Sequence, residues 1–104
     1  MKVSQLRLYR IAEGHLDDFI AAWTAGVFPL RRTFGFEIDA AYSIPQEDRF
    51  CWIVSYDGPL SWQEAEDAYY GSPERAAIDP DPVQWVEDPQ TWFVERVDVA
   101  GGRS

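Results

Sequence analysis

The sequence predicts a single α+β domain in which strands and helices follow the order β-α-β-β-α-β. Three observations carry this reading. Short runs of period-two apolar alternation mark strands, an apolar stripe of 3.6-residue period marks a helix after the first strand, and a capping-box signature opens a second helix before the last strand.

Val3 to Ile11 is the first strand, with Leu6 and Leu8 alternating against Gln5, Arg7 and Tyr9. From His15 the period changes. Leu16, Phe19, Ile20, Trp23 and Val27 fall at i, i+3, i+4, i+7 and i+11, one stripe of an amphipathic helix. Asp17 and Asp18 sit in its first turn and Arg31 and Arg32 in its last, each where the helix dipole favours that charge. Pro29 removes one backbone donor and should kink or restart the helix, and Gly35 is placed as its left-handed terminator. Phe36 to Ile44 alternates again, with Phe36, Ile38, Ala40 and Tyr42 on one face. A polar turn, Pro45-Gln46-Glu47-Asp48, leads into Phe50 to Tyr56, apolar on both faces as a central strand would be. Ser61 and Glu64 form the capping box of a helix running to about Tyr70, with Trp62, Ala65 and Tyr69 inward. Ser72-Pro73 and Asp81-Pro82 each start a further helical turn, and Thr91 to Val97 is the last strand.

This order gives a four-stranded antiparallel sheet with both helices on one face. Strand parity directs Leu6 and Leu8 toward the helices and Arg7 and Tyr9 to the opposite face. That face needs a cover, because neither side of the third strand is hydrophilic. A second copy of the chain is the commonest cover, so a homodimer is expected.

With 104 residues there is room for one domain, placed at 1–98, followed by a flexible Gly-rich tail at 99–104. Hydrophobic residues make up 46% of the chain, which excludes disorder. Five Trp, five Tyr and six Phe exceed what one small core usually needs, which points to an aromatic-lined cavity or interface as well. The formal charge of −9 repels a phosphate backbone and anionic lipid, so neither nucleic acid nor membrane is an expected partner. The chain opens Met-Lys-Val-Ser-Gln with no apolar leader, and a single cysteine excludes an internal disulfide. The cytoplasm is the expected compartment.

The chemistry-bearing residues are few. His15 and Cys51 lie on different elements, so no metal site is expected. His15 reads as a surface residue and Cys51 as a small core residue. Asp79-Pro80-Asp81-Pro82 lacks calcium-loop spacing and reads as a stiff turn capped by Asp81. Asp17 and Asp18 point about 100° apart on their helix and cannot share a substrate easily. No phosphate-cradling glycine loop or serine-nucleophile elbow is present, and no cofactor is expected.

The chain resembles the NIPSNAP family, within the ferredoxin-like proteins that pair their sheets into a dimeric α/β barrel. The likeness rests on Leu6-Arg7-Leu8-Tyr9, on Glu13-Gly14-His15-Leu16, on Gly35-Phe36 and on Tyr56-Asp57. The runs YYGSPERAA (Tyr69 to Ala77) and TWFVERV (Thr91 to Val97) extend it over almost the whole chain. The resemblance implies the ferredoxin-like fold and the dimer, and it implies little about activity.

The ligand-binding candidates are Arg7, Tyr9, Tyr42, Trp52 and Tyr56. Arg7 and Tyr9 share one face of the first strand, and Tyr42, Trp52 and Tyr56 share one face of the hairpin if its register is even. Together they would line a mostly apolar pocket, between the sheet and its partner, with one cation and one or two phenols. Such a pocket suits a small aromatic or acidic molecule. Two other readings stand beside it. One is a cofactor-free enzyme acting on an aromatic or polyketide-like substrate. The other is a structural dimer in which Arg7 pairs with a carboxylate such as Asp39 or Glu95.

Overall fold

The structure, a computed structural model, describes residues 1–99. Four strands, β1 (Val3–Ile11), β2 (Phe36–Ile44), β3 (Arg49–Tyr56) and β4 (Val86–Val94), form one antiparallel sheet in the order β2-β3-β1-β4. The helices α1 (Leu16–Ala22), α2 (Phe28–Thr33), α3 (Trp62–Tyr70) and α4 (Pro73–Ala76) supply the second layer on one face. The expected ferredoxin-like α+β architecture is therefore present. The tail placed at 99–104 lies, apart from Val99, outside the described residues.

The first helical run is continuous but not uniform. Between α1 and α2 the backbone widens into a π-helical stretch, Trp23–Val27, just before Pro29 at the start of α2. Proline cannot donate to the preceding turn, and the wider turn absorbs that loss. Leu16, Phe19, Trp23 and Val27 are buried as their spacing demands. Gly26 lets Ile78 pack against this run, since a Cβ there would stand 2.7 Å from Ile78 Cγ2. Gly35 ends α2 at φ +88°, a conformation only glycine takes without strain.

The capping box of α3 forms in full. Glu64 N donates to Ser61 Oγ at 3.1 Å, and Ser61 N donates to Glu64 Oε1 at 2.9 Å. The bond from the Ser61 backbone N–H, with the Ser61 side chain second, favours the ionised carboxylate and holds the Glu64 pKa below its ordinary value. A depressed folded-state pKa gives stability that is complete above the unfolded value of ~4.3 and is lost as pH falls through the lower folded value. Glu64→Gln is therefore expected to narrow its stability gap to wild type between pH 7 and pH 3. Urea denaturation at both pH values checks this; a gap independent of pH would deny the cap its charge.

Two bulges change which side chains face the helices. In the β2–β3 pair, Ile38 opposes Val54 but Ala40 opposes Ile53, so β2 carries one extra residue at Asp39. Asp39 Oδ2 accepts from Ser55 Oγ at 2.5 Å across the bulge. Phe36 and Ile38 thus face the helices, whereas Ala40 and Tyr42 are turned to the open face, against the expected single face. In the β1–β4 pair a second shift falls between Leu8 and Arg10, where β4 carries Asp88 at φ +47° and Pro89.

The parity expected for β1 is also reversed. Gln5, Arg7 and Ile11 are buried beneath the helices, and Leu6 and Leu8 lie on the open face. The helices supply a carboxylate and aromatic rings that satisfy Arg7, so an arginine occupies the covered side and leucines the open one. The last strand is Val86–Val94 rather than Thr91 to Val97. Pro89 interrupts its pattern and hides its first half in the sequence, yet the bulge accommodates a residue that cannot donate to the ladder.

Candidate functional site

The helix-covered face of the sheet is not filled. A cavity of about 280 Å³ opens between β1, β4 and the helical layer. Phe19, Trp23 and Val27 form its apolar wall; Arg7, Arg31 and Arg75 bring three guanidiniums, and Tyr9, Tyr69 and Tyr70 three phenols. Exposed Tyr70, Val83, Pro89 and Thr91 form its mouth. For scale, an apolar cavity of ~150 Å³ holds benzene.

Arg7 and Arg31 are locked to one another by two shared acceptors. One is Glu66, whose carboxylate accepts from Arg7 Nη2 on one oxygen and from Arg31 Nη1, at 2.7 Å, on the other. The other is the Tyr70 hydroxyl, which accepts from Arg7 Nη1 at 3.0 Å and from Arg31 Nη2 at 3.1 Å. Arg7 Nε donates to Gln5 Oε1 at 2.7 Å. Aromatic faces complete the setting. The Arg31 guanidinium lies 4.0 Å from the Tyr69 ring centroid and 4.6 Å from that of Phe36, and Arg7 lies 5.4 Å from Trp52. Arg31 is 1% exposed, an arginine placed in the core by design of its partners rather than by its own polarity.

The electrostatics follow from this packing. Burial works against the charge on Arg7, but Tyr70, Tyr9 and Glu66 outweigh it and hold its pKa above the ordinary arginine value. Burial raises the Tyr9 phenol pKa, with Arg7 and the hydrogen bond from Trp52 opposing. Burial likewise raises Tyr69, against the pull of Arg31 and Arg75. Arg75 is held outside the Arg7–Glu66–Arg31 triad by Asp81, at 3.1 Å, which also caps the turn at Pro82.

Four buried polar atoms among the described residues have no hydrogen-bond partner: Trp23 Nε1, Arg31 Nε, Tyr69 OH and Arg75 Nε. All four belong to residues that line the cavity. Three of them are obligate donors and the fourth can donate.

The sequence candidates divide between two places. Arg7, Tyr9 and Trp52 come together on the helix side, where Trp52 Nε1 donates to Tyr9 OH at 3.1 Å. Tyr56 is buried on the same side, but it packs against Phe36 at 5.1 Å and accepts from Leu60 N at 3.3 Å, away from the cavity. Tyr42 is 65% exposed on the open face, turned there by the bulge at Asp39. Arg7 pairs with Glu66 rather than with Asp39 or Glu95. His15 is exposed, bonded to Asp18 and stacked on Trp85, and Cys51 is half-buried on the open face. No cluster of metal-binding side chains occurs among the described residues.

The open face carries Leu6, Leu8, Cys51, Ile53, Ala40, Tyr42 and Trp92, with Trp92 48% exposed. No helix among the described residues is long and apolar enough to cross a membrane.

No protein-family model matches the sequence, and no curated protein matches it either. Solved structures do. A NIPSNAP family protein from Agrobacterium tumefaciens superposes with a TM-score of 0.81 over 99% of this chain and 100% of its own, at 11% identity. An uncharacterised NIPSNAP domain protein from Burkholderia xenovorans gives 0.76 over 98% and 99%, at 15% identity. The fold is that of the NIPSNAP proteins. A candidate antibiotic biosynthesis monooxygenase from Nitrosomonas europaea shares it more loosely, with a TM-score of 0.68 over 92% and 90% at 10% identity. The NIPSNAP fold thus accounts for the two-layer scaffold, and the cavity chemistry is written in this chain's own arginines and aromatics.

Proposed function

We propose that this chain is a NIPSNAP-family homodimer that binds a small aromatic or acidic molecule in the cavity between its sheet and its helices. The observation that carries the reading is the cavity of about 280 Å³ in which three arginines and three tyrosines meet an apolar wall. A structural dimer needs an apolar open face but has no use for a cavity equipped with donors. The dimer itself is supported by that open face, where Leu6, Ile53 and Trp92 form a continuous apolar row across three strands. Binding therefore belongs to each protomer's interior, and pairing to the opposite side of the sheet.

A second reading, an enzyme acting on such a ligand without a cofactor, is favoured by the Arg7–Tyr9–Trp52 contact. Arg7 would hold an enolate or phenolate oxygen and the Tyr9 hydroxyl would bond to it from the cavity side.

Native mass spectrometry of gently purified protein tests the proposal. The expected species has about twice the 11.9 kDa chain mass and carries a small additional mass. A bare monomer would overturn both parts.

A further inference from the structure

The charges around the cavity count to a small positive number in a strongly negative protein. Arg7, Arg31 and Arg75 contribute three positive charges; Glu66 and Asp81, their only ionic partners among the described residues, return two. Burial raises the pKa of the Tyr9 and Tyr69 phenols, which keeps both uncharged at neutral pH. One positive charge remains, in a chain of net −9. The guanidiniums that line the space can only donate, so they favour acceptor atoms in whatever enters it. Around them the wall is aromatic, with Phe19, Trp23 and Tyr69.

We infer that the ligand is an aromatic monocarboxylate, and that Glu66 sets this charge by neutralising one of the two guanidiniums it bridges. The inference rests on the cavity being a binding site and adds the chemistry of what enters. A carboxylate presents its acceptors in a plane that the edge of a guanidinium matches, and a planar ring fits against Trp23 and Phe19. A dianion would bring one charge more than the site neutralises, into a space that burial makes costly for unpaired charge. A neutral amide of the same shape would replace one acceptor by a donor facing donors. Glu66 is here a specificity-determining residue that acts through Arg7 and Arg31. The volume of about 280 Å³ admits two fused rings bearing one small group, being nearly twice the ~150 Å³ that holds benzene.

Isothermal titration with naphthalene-2-carboxylate, naphthalene-2-carboxamide and naphthalene-2,6-dicarboxylate tests this on the unaltered full chain. The expected result is binding of the monocarboxylate at least ~10-fold tighter than either of the others. Equal affinity for carboxylate and carboxamide would overturn the charge assignment while leaving the cavity as a binding site. Absence of binding by all three would overturn this inference together with the proposed function. Glu66→Gln, which keeps one acceptor oxygen for the arginines, is expected to raise the affinity of the dicarboxylate relative to the monocarboxylate at least ~10-fold. An unchanged ratio in folded Glu66→Gln protein, judged by circular dichroism, would remove Glu66 from the role. Should that variant not fold, the wild-type ranking decides alone.

Discussion

Glu66→Ala is expected to lose about 3–5 kcal/mol of stability, read as a fall in the urea midpoint. The size comes from what remains after the substitution. Glu66 is 6% exposed and is the only carboxylate bonded to Arg7 and to Arg31 among the described residues. Without it two guanidiniums stay buried and face one another across the Tyr70 hydroxyl. An unbalanced buried charge costs far more than a balanced one contributes. The converse also follows. Arg7→Met, Arg31→Met and Glu66→Leu combined should recover much of the loss, because no ion is left to desolvate. The combined variant would then lack the guanidiniums that the cavity offers a ligand. Stability near wild type with binding abolished would show that the triad is kept for recognition.

The second large effect falls on Trp52. Its side chain is 2% exposed and forms the floor on which the site rests: Trp23 meets its ring edge-on at 5.3 Å, and the Arg7 and Arg31 guanidiniums lie 5.4 Å and 5.6 Å from it. Trp52→Ala removes that surface and leaves a void among rings that cannot close it, with an expected cost of about 3–5 kcal/mol. Trp52→Phe keeps most of the packing but withdraws the donor to Tyr9 OH, and is expected to cost about 1–3 kcal/mol. Thermal or urea unfolding of the pair separates packing from hydrogen bonding. Equal losses would mean that the ring itself contributes little.

The fold was legible because its signals are local. The stripe from Leu16 to Val27, the Ser61–Glu64 box, Gly35 and the alternating strands each need only neighbours along the chain. The faces were not legible, because the face of a strand is a tertiary property. One inserted residue at Asp39 turns Tyr42 away from Trp52, and nothing in the alternation of Phe36 to Ile44 marks the insertion. The leucines of β1 suggested the covered side by hydrophobicity alone, whereas Arg7 takes it because Glu66, Tyr70 and Gln5 wait there.

Most of the site was hidden for the same reason. Arg31 follows Val27 by four and so continues the buried stripe, a signal present in the sequence but read as a dipole partner at a helix end. Glu66 precedes Tyr69 by three and lies beside the inward face of α3. A charged residue at an inward position is the trace such a site leaves, and the pairing of Arg31 with Glu66, 35 residues apart, needed the fold.

The most direct measurement is an NMR titration of the five tryptophan indole N–H signals with naphthalene-2-carboxylate. Trp23 lines the cavity with its N–H unpartnered, and Trp92 stands on the open face of the sheet. Movement of the Trp23 indole signal with Trp92 unmoved is the expected result. Movement of Trp92 with Trp23 unmoved would place the ligand on the face assigned to the partner subunit and contradict an interior binding site.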